Sequence, residues 1–322
     1  MAESPENPEA FRRSALQPGP VAMLLALGVL WGATPPLGKL AAHYGFHPVT
    51  FAFWQSGIAA VILAVMVAVR RRPLPLGRRY LFYYVMSGIL GLGAPNAISF
   101  TALYHLPSGI MSVIITTVPL ATYALSVVSG LERVRWRRVA GIGLGFSGCL
   151  LILLPGASLP SEGLVPWVLL GFLTPTLYAV TNVWVARYRP DGIDSLALAC
   201  GMMIAAAVCM GSLALVLGVF QPVGPPFDGA DAVALAHGTI ASMAFVVYFA
   251  LMQRAGPVYL SQVGYIVTLT GLIWAMAVFG ERYGPGVWAA VLLIFAGLYT
   301  VNRDRRLAET GNESGAQKAP LP

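Results

Sequence analysis

The sequence predicts an all-α integral membrane protein with ten transmembrane helices in two inverted five-helix repeats. Hydrophobic residues make up 57% of the 322 residues and charged residues only 10%, against about 45–50% and about 25% in soluble domains. Apolar stretches long enough to cross a bilayer, about 20 residues each, recur ten times. Similar residues also recur at an offset of about 147 to 150 residues, which indicates an internal repeat.

Windowed hydropathy predicts the order of the elements along the chain. The ten spans are predicted at residues 20–42, 48–69, 80–103, 107–129, 137–155, 163–187, 194–220, 232–253, 257–280 and 284–302. The first repeat covers 20–155 and the second covers 163–303. Residues 1–19 are predicted to be a cytoplasmic tail without a cleaved signal peptide, and residues 304–322 a disordered cytoplasmic tail.

The basic residues predict the orientation, because Lys and Arg are retained in cytoplasmic loops near span ends. Of the 20 Lys and Arg residues, 18 fall in the two tails and in alternate loops, which leaves Lys39 and Arg282 on the opposite side. Both termini are therefore predicted to be cytoplasmic, in a bacterial-type inner (plasma) membrane. Since the charge is dispersed over several loops, no nucleic-acid partner is expected. We expect a monomer whose partners are membrane lipid and a small-molecule substrate.

Two matched groups of residues define the repeat. Pro107 and Pro257 are each predicted to open a span, while Gly130-Leu131-Glu132 and Gly280-Glu281 close it. Both Glu residues are interpreted as helix-end groups that bond to backbone or nearby Arg. Because each repeat holds an odd number of spans, the second copy must insert in the opposite orientation. Inverted repeats are typical of secondary transporters, whose substrate site lies near the midplane between the halves.

These residues resemble the EamA repeat of the drug/metabolite transporter superfamily. Three stretches carry the resemblance: Ala102-Leu103 through Leu154 with mid-span Pro119, Phe249–Tyr299 with Gly280-Glu281-Arg282, and Leu30-Trp31-Gly32 with Lys39. The resemblance covers 20–302 and implies a ten-helix transporter of amino acids, nucleobase-like metabolites or other small polar organics. The most similar subgroup exports amino acids. Two features depart from the family: Trp54-Gln55 stands where many members carry Arg, and Pro119 has Thr268 or Leu269 as its mate.

Polar side chains inside the spans are the candidate site residues, since idle polar groups are costly in hydrocarbon. In the fourth span Ser112, Thr116 and Pro119 share one helix face with Ser108 and Tyr123. In the ninth span Gln262, Tyr265 and Thr268 occupy nearly equivalent places. These two stripes predict two walls of one cavity. The alternative is that the hydroxyl groups bond to their own backbone or to neighbouring helices.

The first, third, sixth and eighth spans supply the remaining candidates. Pro35-Pro36 removes two backbone donors and is predicted to break the first helix beside Trp31 and Thr34. Tyr178 and Asn182 occupy the equivalent part of the sixth span. His237 and Tyr248 share a face of the eighth span, where a neutral imidazole can bind a carboxylate or relay a proton. For His237 and for Asn96 in the third span, a bonded core residue is the alternative.

The prediction therefore contains one substrate site, three hinge residues and no catalytic, cofactor or metal site. The predicted substrate-binding residues are Trp31, Thr34, Asn96, Ser112, Thr116, Tyr178, Asn182, His237, Tyr248, Gln262 and Tyr265. The predicted hinges are Pro35, Pro36 and Pro119. All 13 acidic residues lie in tails, in loops or at span ends, so coupling through an intramembrane carboxylate is not supported.

The sequence thus predicts a secondary transporter that exports small polar metabolites, with amino acids as the first choice, by alternating access. A nucleobase, nucleoside or drug exporter of the same fold is the alternative. An enzyme is not expected, although Gly145-Phe146-Ser147-Gly148 resembles the GxSG motif of intramembrane serine proteases. Ser147 lies deep in a regular apolar helix, and the repeat already accounts for the glycines.

Overall fold

The computed structural model describes residues 19–153, 162–260 and 262–316, and this part of the chain is helical without strands. The helices are α1 Pro20–His43, α2 Pro48–Val69, α3 Arg78–Leu103, α4 Ser108–Val128, α5 Trp136–Leu153, α6 Val165–Tyr188, α7 Ser195–Val216, α8 Gly229–Leu260, α9 Val263–Phe279 and α10 Pro285–Ala316. Eight of these contain a stretch long and apolar enough to cross a membrane. The other two, α9 and α10, contribute the apolar segments Val263–Phe279 and Pro285–Val301. At 1.5 Å per residue, α9 is about 26 Å long, close to the thickness of a bilayer core. The predicted all-α, ten-helix membrane fold is confirmed.

Three helices are interrupted near their middle. In α1, the segment α1a (Pro20–Gly32) meets α1b (Thr34–His43) at Ala33. Pro35 and Pro36 lack the N–H groups that would bond to the carbonyls of Trp31 and Gly32, so the ladder is broken there. The predicted break in the first span is therefore present, and the use of these prolines as hinges remains a prediction.

A second interruption lies in α4, between α4a (Ser108–Ile115) and α4b (Val118–Val128). Pro119 removes the donor for the carbonyl of Ile115. Thr116 and Thr117 instead donate to residues three positions back, Val113 at 3.2 Å and Ile114 at 3.1 Å. This tighter turn changes the direction of α4: α4a packs on α9, while α4b packs on α6.

The third interruption is a π-helical turn, Ile89–Gly93, between α3a (Arg78–Gly88) and α3b (Ala94–Leu103). Pro95, the second residue of α3b, removes another intrahelical donor. A single π-helical turn inside a helix often marks a functional site. Asn96, the next residue, is one of the predicted site residues.

The boundary between the eighth and ninth spans differs from the prediction. Gln253 and Arg254 lower the hydropathy, which predicts separate spans at 232–253 and 257–280, but α8 continues to Leu260. Pro257 therefore lies inside α8 and does not open the ninth helix, because membrane helices tolerate proline where neighbours compensate. At the other end of the chain, α10 extends to Ala316, into the segment predicted to be a disordered tail. Most of the predicted first tail lies outside the described residues.

Close helix packing holds the two halves of the chain together. α5 and α10 make the most extensive pair, with Gly141 of one helix against Gly297 of the other. A Cβ atom added to Gly297 would lie 2.5 Å from the carbonyl oxygen of Gly141. Small residues at such contacts let membrane helices approach closely. The main apolar core lies among α2, α3b, α4a and α10 and includes Phe51, Phe100 and Met111.

Candidate functional site

Three polar side chains form a continuous hydrogen-bonded chain that links α2, α3 and α6. The Tyr178 hydroxyl donates to Asn96 Oδ1 at 2.7 Å, and Asn96 Nδ2 donates to Gln55 Oε1 at 2.8 Å. One helical turn before Tyr178, Thr174 Oγ1 donates to the carbonyl of Pro95 at 3.3 Å. Asn96 is buried, whereas Gln55 and Tyr178 are partly exposed. The structure thus brings two predicted site residues, Asn96 and Tyr178, into direct contact.

A second group is aromatic and lies between α1 and α8. The ring of Trp31 lies 5.5 Å from that of Tyr248 and 6.1 Å from that of Phe245, in tilted and edge-on arrangements. Trp31 is half-buried near the α1 break, and Thr34 follows one turn later with similar exposure. Such rings present an apolar surface with a polar edge, which suits an amphipathic solute.

His237 is separate from both groups. Its ring is stacked on Phe51 at 4.8 Å with an interplanar angle of 18°, and Phe100 approaches edge-on at 5.5 Å. The side chain is fully buried, and within the described parts of the chain neither ring nitrogen has a hydrogen-bond partner. In this conformation, aromatic rings fill the space beside His237.

The two stripes predicted to line a cavity are packed against each other. Ser112 Oγ donates to the Ser108 carbonyl at 3.1 Å, and Thr116 Oγ1 donates to the Ser112 carbonyl at 2.9 Å. Thr116 also forms a hydroxyl contact with Thr268, and Ser112 lies directly against Gly271. All of these side chains are buried. In this conformation Ser112 and Thr116 connect α4 to α9, as the alternative interpretation expects.

The remaining predicted residues lie closer to the helix ends. Asn182 is exposed, and its Nδ2 atom donates to Thr122 Oγ1 of α4b at 3.0 Å. The ring of Tyr265 packs edge-on against Phe295 of α10 at 4.9 Å. Gln262 is the N-cap residue of α9 rather than a residue of its helical face, because α8 occupies the sequence before it. The position predicted for Gln262, within the ninth span, is therefore corrected.

An ionic group lies where α1, α4 and α9 come together. We call it the Glu281 cluster, and it consists of Lys39, Ser108, Gly109, Glu281 and Tyr283. The Ser108 N–H and hydroxyl groups both donate to Glu281 Oε1 at 2.9 Å, and the Gly109 N–H donates to Oε2 at 3.3 Å. Lys39 Nζ lies 3.5 Å from Oε1, and Tyr283 donates its hydroxyl to Oε2. A carboxylate at a helix start is stabilised by the free N–H groups and by the dipole of the helix.

Two members of the Glu281 cluster are further restrained. Burial raises the pKa of Tyr283 above its ordinary value of 10.0, and the hydrogen bond to Glu281 raises it further. Tyr283 is therefore a protonated donor at neutral pH. Lys39 Nζ also donates to the carbonyl of Leu106 at 2.9 Å and lies 5.7 Å from the ring centre of Phe279. The cluster thus joins the first half of the chain to the second.

Glu132, which follows the equivalent helix end in the repeat, has a different partner. It pairs with Arg138 of α5, whose guanidinium group lies 5.2 Å from the ring centre of Tyr123. The Tyr123 oxygen accepts from the Arg135 N–H at 3.2 Å. These contacts lie within residues 123–138, so they do not bridge the two halves. The prediction that both Glu residues bond to backbone or nearby Arg at helix ends is confirmed.

Gln55 and the bridging contacts of Glu281 are the features that sequence reasoning missed as parts of a site. In the sequence, Gln55 is marked by its polarity inside an apolar span and by the departure of Trp54-Gln55 from the family pattern, and neither signal assigns it a role. Glu281 is recognisable as a helix-end residue, but its bonds to Ser108 depend on a fold contact across 173 positions. Among the described residues, no group of three His, Cys, Asp or Glu side chains is placed to hold a metal ion.

Known proteins share both the sequence pattern and the fold. The EamA-like transporter family matches residues 19–154 and 165–303. The chain is 25% identical over 282 residues to the uncharacterized inner membrane transporter YedA of Escherichia coli K12, covering 85% of this chain and 87% of YedA. It is 24% identical to the uncharacterized transporter YvbV of Bacillus subtilis, covering 92% and 97% of the two chains.

Two further proteins extend this comparison. The S-adenosylmethionine/S-adenosylhomocysteine transporter of Chlamydia trachomatis serovar L2 is 22% identical over 81% of this chain and 82% of its own length. A solved crystal structure superimposes with a TM-score of 0.60 at 17% identity, covering 87% of this chain and 95% of the other, which shows a shared fold. Since the family matches nearly all of both halves, the chain belongs to the EamA-like transporter family and is a multi-pass membrane transporter.

Proposed function

We propose that this transporter exports neutral amino acids with apolar side chains across a bacterial inner membrane. The single observation that supports this most is the chain from Tyr178 through Asn96 to Gln55, because it links α2 and α3 of the first half to α6 of the second. Transporters with repeated halves bind substrate between those halves, near helix interruptions. The π-helical turn Ile89–Gly93 and Pro95 provide such an interruption directly before Asn96.

The aromatic group supports an amphipathic substrate. Trp31 and Tyr178 both lie near the middle of 24-residue helices, at the depth expected of a central site. In the proposed site, Trp31 and Tyr248 contact the apolar side chain of the substrate. The hydrogen-bonded residues Tyr178, Asn96 and Gln55 bind its charged end. Thr34 and Asn182 remain proposed members of this site, as do Gln262 and Tyr265 once the helices move.

The contacts of α4 support an inward-facing state. The distribution of basic residues supports a position on the outer side for the Glu281 cluster and in the cytoplasm for both termini. On that outer side α4a is packed on α9 through Ser112 and Thr116, and the Glu281 cluster joins their ends. Towards the cytoplasm, α4b turns away and packs on α6. In the proposed cycle, the α3–α4 and α8–α9 hairpins rock about Pro35, Pro36 and Pro119 to open the outer side.

We propose that transport follows the gradient of the amino acid itself. The 13 acidic residues lie in tails, in loops or at span ends, which leaves the spans without a central carboxylate for proton or sodium coupling. His237 is the one histidine that lies well inside a predicted span, and its ring is enclosed by Phe51 and Phe100. Its enclosure supports a packing role.

Counterflow in vesicles tests the proposed function. The purified full-length protein is reconstituted into liposomes loaded with unlabelled leucine, and entry of labelled leucine, adenine or S-adenosylmethionine is followed. We expect accumulation of labelled leucine, and its absence from protein-free liposomes serves as the control. Leucine entry no faster than in protein-free liposomes would contradict the proposal.

An adenosyl compound is the second candidate substrate. The relative from Chlamydia trachomatis, named for S-adenosylmethionine and S-adenosylhomocysteine, aligns with 81% of this chain. An adenine ring could stack on Trp31 or Tyr248 in place of an amino-acid side chain. In the same assay, unlabelled S-adenosylmethionine inside the liposomes would then drive accumulation of labelled S-adenosylmethionine but not of leucine.

A further inference from the structure

The part of α2 that carries Gln55 is attached to a neighbouring segment by hydrogen bonds. Its neighbour Trp54 donates the indole N–H to the carbonyl of Gln221 at 2.9 Å, and Thr50 donates to the carbonyl of Val219 at 2.6 Å. These two bonds fasten this part of α2 to the segment that follows α7. Gln55 itself turns towards α3, where its Oε1 atom accepts from Asn96. Its position therefore does not depend on contact with a solute.

The order of donors and acceptors in the hydrogen-bonded series Tyr178–Asn96–Gln55 determines which group of the Gln55 amide remains available to bind a solute. The one hydroxyl hydrogen of Tyr178 goes to Asn96 Oδ1, so the Asn96 amide nitrogen faces Gln55. Gln55 must then present its oxygen to Asn96 and its NH2 group elsewhere. Across residues 19–153, 162–260 and 262–316, no protein group accepts a hydrogen bond from that NH2 group.

Two unused N–H groups in an apolar span favour a ligand with acceptor atoms. No protein group competes for these N–H groups, so a polar solute that supplies an oxygen displaces only water from them. A carboxylate accepts two such bonds, and hydrogen bonds to a charged acceptor are stronger than neutral ones. Gln55 is also partly exposed, unlike its buried partner Asn96, so a solute can reach it.

We infer that Gln55 is the specificity-determining residue of this transporter: it binds the carboxylate of the substrate through its free amide NH2 group. This inference rests on the proposed amino-acid transport and names the group that the site selects. A neutral donor also leaves the net charge of the site unchanged, so a zwitterion enters without an unpaired protein charge. Asn96 and Tyr178 act as positioning residues that orient the Gln55 amide.

The test compares leucine with leucinamide, in which a neutral carboxamide replaces the carboxylate. Counterflow of both probes is measured for the wild type, Gln55→Glu and Gln55→Met. Gln55→Glu keeps the side-chain shape but places negative charge opposite the carboxylate, and Gln55→Met removes the donors without adding charge. We expect each substitution to lower the ratio of leucine to leucinamide transport by about tenfold or more. Thr176→Val, at an exposed position of α6 whose hydroxyl bonds to its own helix, is the control.

The outcomes separate this inference from the proposed function. Wild-type counterflow of leucine with an unchanged ratio in both Gln55 variants would overturn the role of Gln55 and leave amino-acid transport intact. Absence of leucine counterflow in the wild type would contradict the proposed function itself. If Gln55→Glu does not fold in detergent, the ratio for Gln55→Met alone decides, and a ratio equal to that of Thr176→Val rejects the inference.

Discussion

The ammonium group of Lys39 lies 3.5 Å from the carboxylate of Glu281, and this pair joins the end of α1 to the end of α9. The side chain of Glu281 is only 10% exposed, so water screens the pair weakly. Glu281 also accepts two hydrogen bonds from Ser108 and one from Gly109, which attaches the start of α4 to the same point. In the proposed cycle these bonds must break before the outer side opens.

Glu281→Gln should shift the transporter towards the outward-facing state. The amide loses the ionic attraction to Lys39 and weakens the charge-assisted bonds to the start of α4. Spin labels are attached to cysteines introduced at positions 105 and 282 of a protein that lacks its native cysteines. We expect pulsed electron paramagnetic resonance to give a longer distance between the labels in Glu281→Gln than in the wild type. Glu132→Gln is the matched control, because Glu132 pairs with Arg138 within the first half. Equal distance distributions in the wild type and both variants would contradict a restraining role for Glu281.

Alkaline pH should weaken the same cluster through Tyr283. The folded-state pKa of Tyr283 is raised above 10.0 by burial and by Glu281, so protonation favours the folded state. Its contribution is complete below the unfolded pKa of 10.0 and is lost as the pH rises through the folded pKa. Thermal unfolding should therefore show a loss of stability only above about pH 10. This loss should be smaller in Tyr283→Phe but unchanged in Tyr299→Phe, which alters an exposed ring.

The contact between α5 and α10 predicts a strong difference between two glycine substitutions. In Gly297→Ala the added Cβ would lie 2.5 Å from the carbonyl oxygen of Gly141 and 2.8 Å from the nitrogen of Gly145. The helices must separate, at a cost of about 1–3 kcal/mol in the free energy of unfolding. Gly143→Ala, on α5 itself, meets no atom within 4 Å and should unfold like the wild type. The comparison requires thermal unfolding in detergent, and equal stability of both variants would show that the contact is not tight.

Replacing His237 should leave transport active. Phe retains an aromatic ring beside Phe51 and Phe100 and removes two buried nitrogens that lack partners in the described structure. His237→Phe is therefore expected to unfold at the same or a higher temperature and to retain most leucine counterflow. Counterflow should also be insensitive to a pH gradient across the vesicle. Loss of transport in a folded His237→Phe protein would instead support a role in substrate or proton binding.

Hydropathy and charge predict most of the fold, because membrane spans are specified by local composition. The breaks at Ala33 and after Thr116 also follow from Pro35, Pro36 and Pro119, which act within one helical turn. The start of α9 is different: polarity at Gln253 and Arg254 predicts a loop, yet α8 continues to Leu260 and α9 begins at Val263. Hydropathy marks the polar residues but does not distinguish a loop from a continuing helix.

The candidate site is harder to predict from the sequence than the fold, because it depends on contacts between distant segments. Asn96 and Tyr178 are recognisable as polar residues within spans, but their hydrogen bond joins positions 82 apart. The proposed role of Gln55 follows only from the order of donors and acceptors in the hydrogen bonds that join Tyr178, Asn96 and Gln55. Ser112 and Thr116 differ again: their regular spacing predicts a cavity wall, and in this conformation they connect α4 to α9, so their place in a cavity stays a prediction.

Ligand-induced stabilisation of three proteins tests whether amino acids bind beside Tyr178, Asn96 and Gln55, between the two halves. The change in unfolding temperature on adding leucine is measured for the wild type, Asn96→Ala and Thr176→Val, each relative to the same protein without leucine. Binding to the folded state raises the unfolding temperature. We predict a rise for the wild type and for Thr176→Val and none for Asn96→Ala, in which Gln55 and Tyr178 are disconnected. An equal rise in all three proteins, or none in the wild type, would show that leucine does not bind at this place.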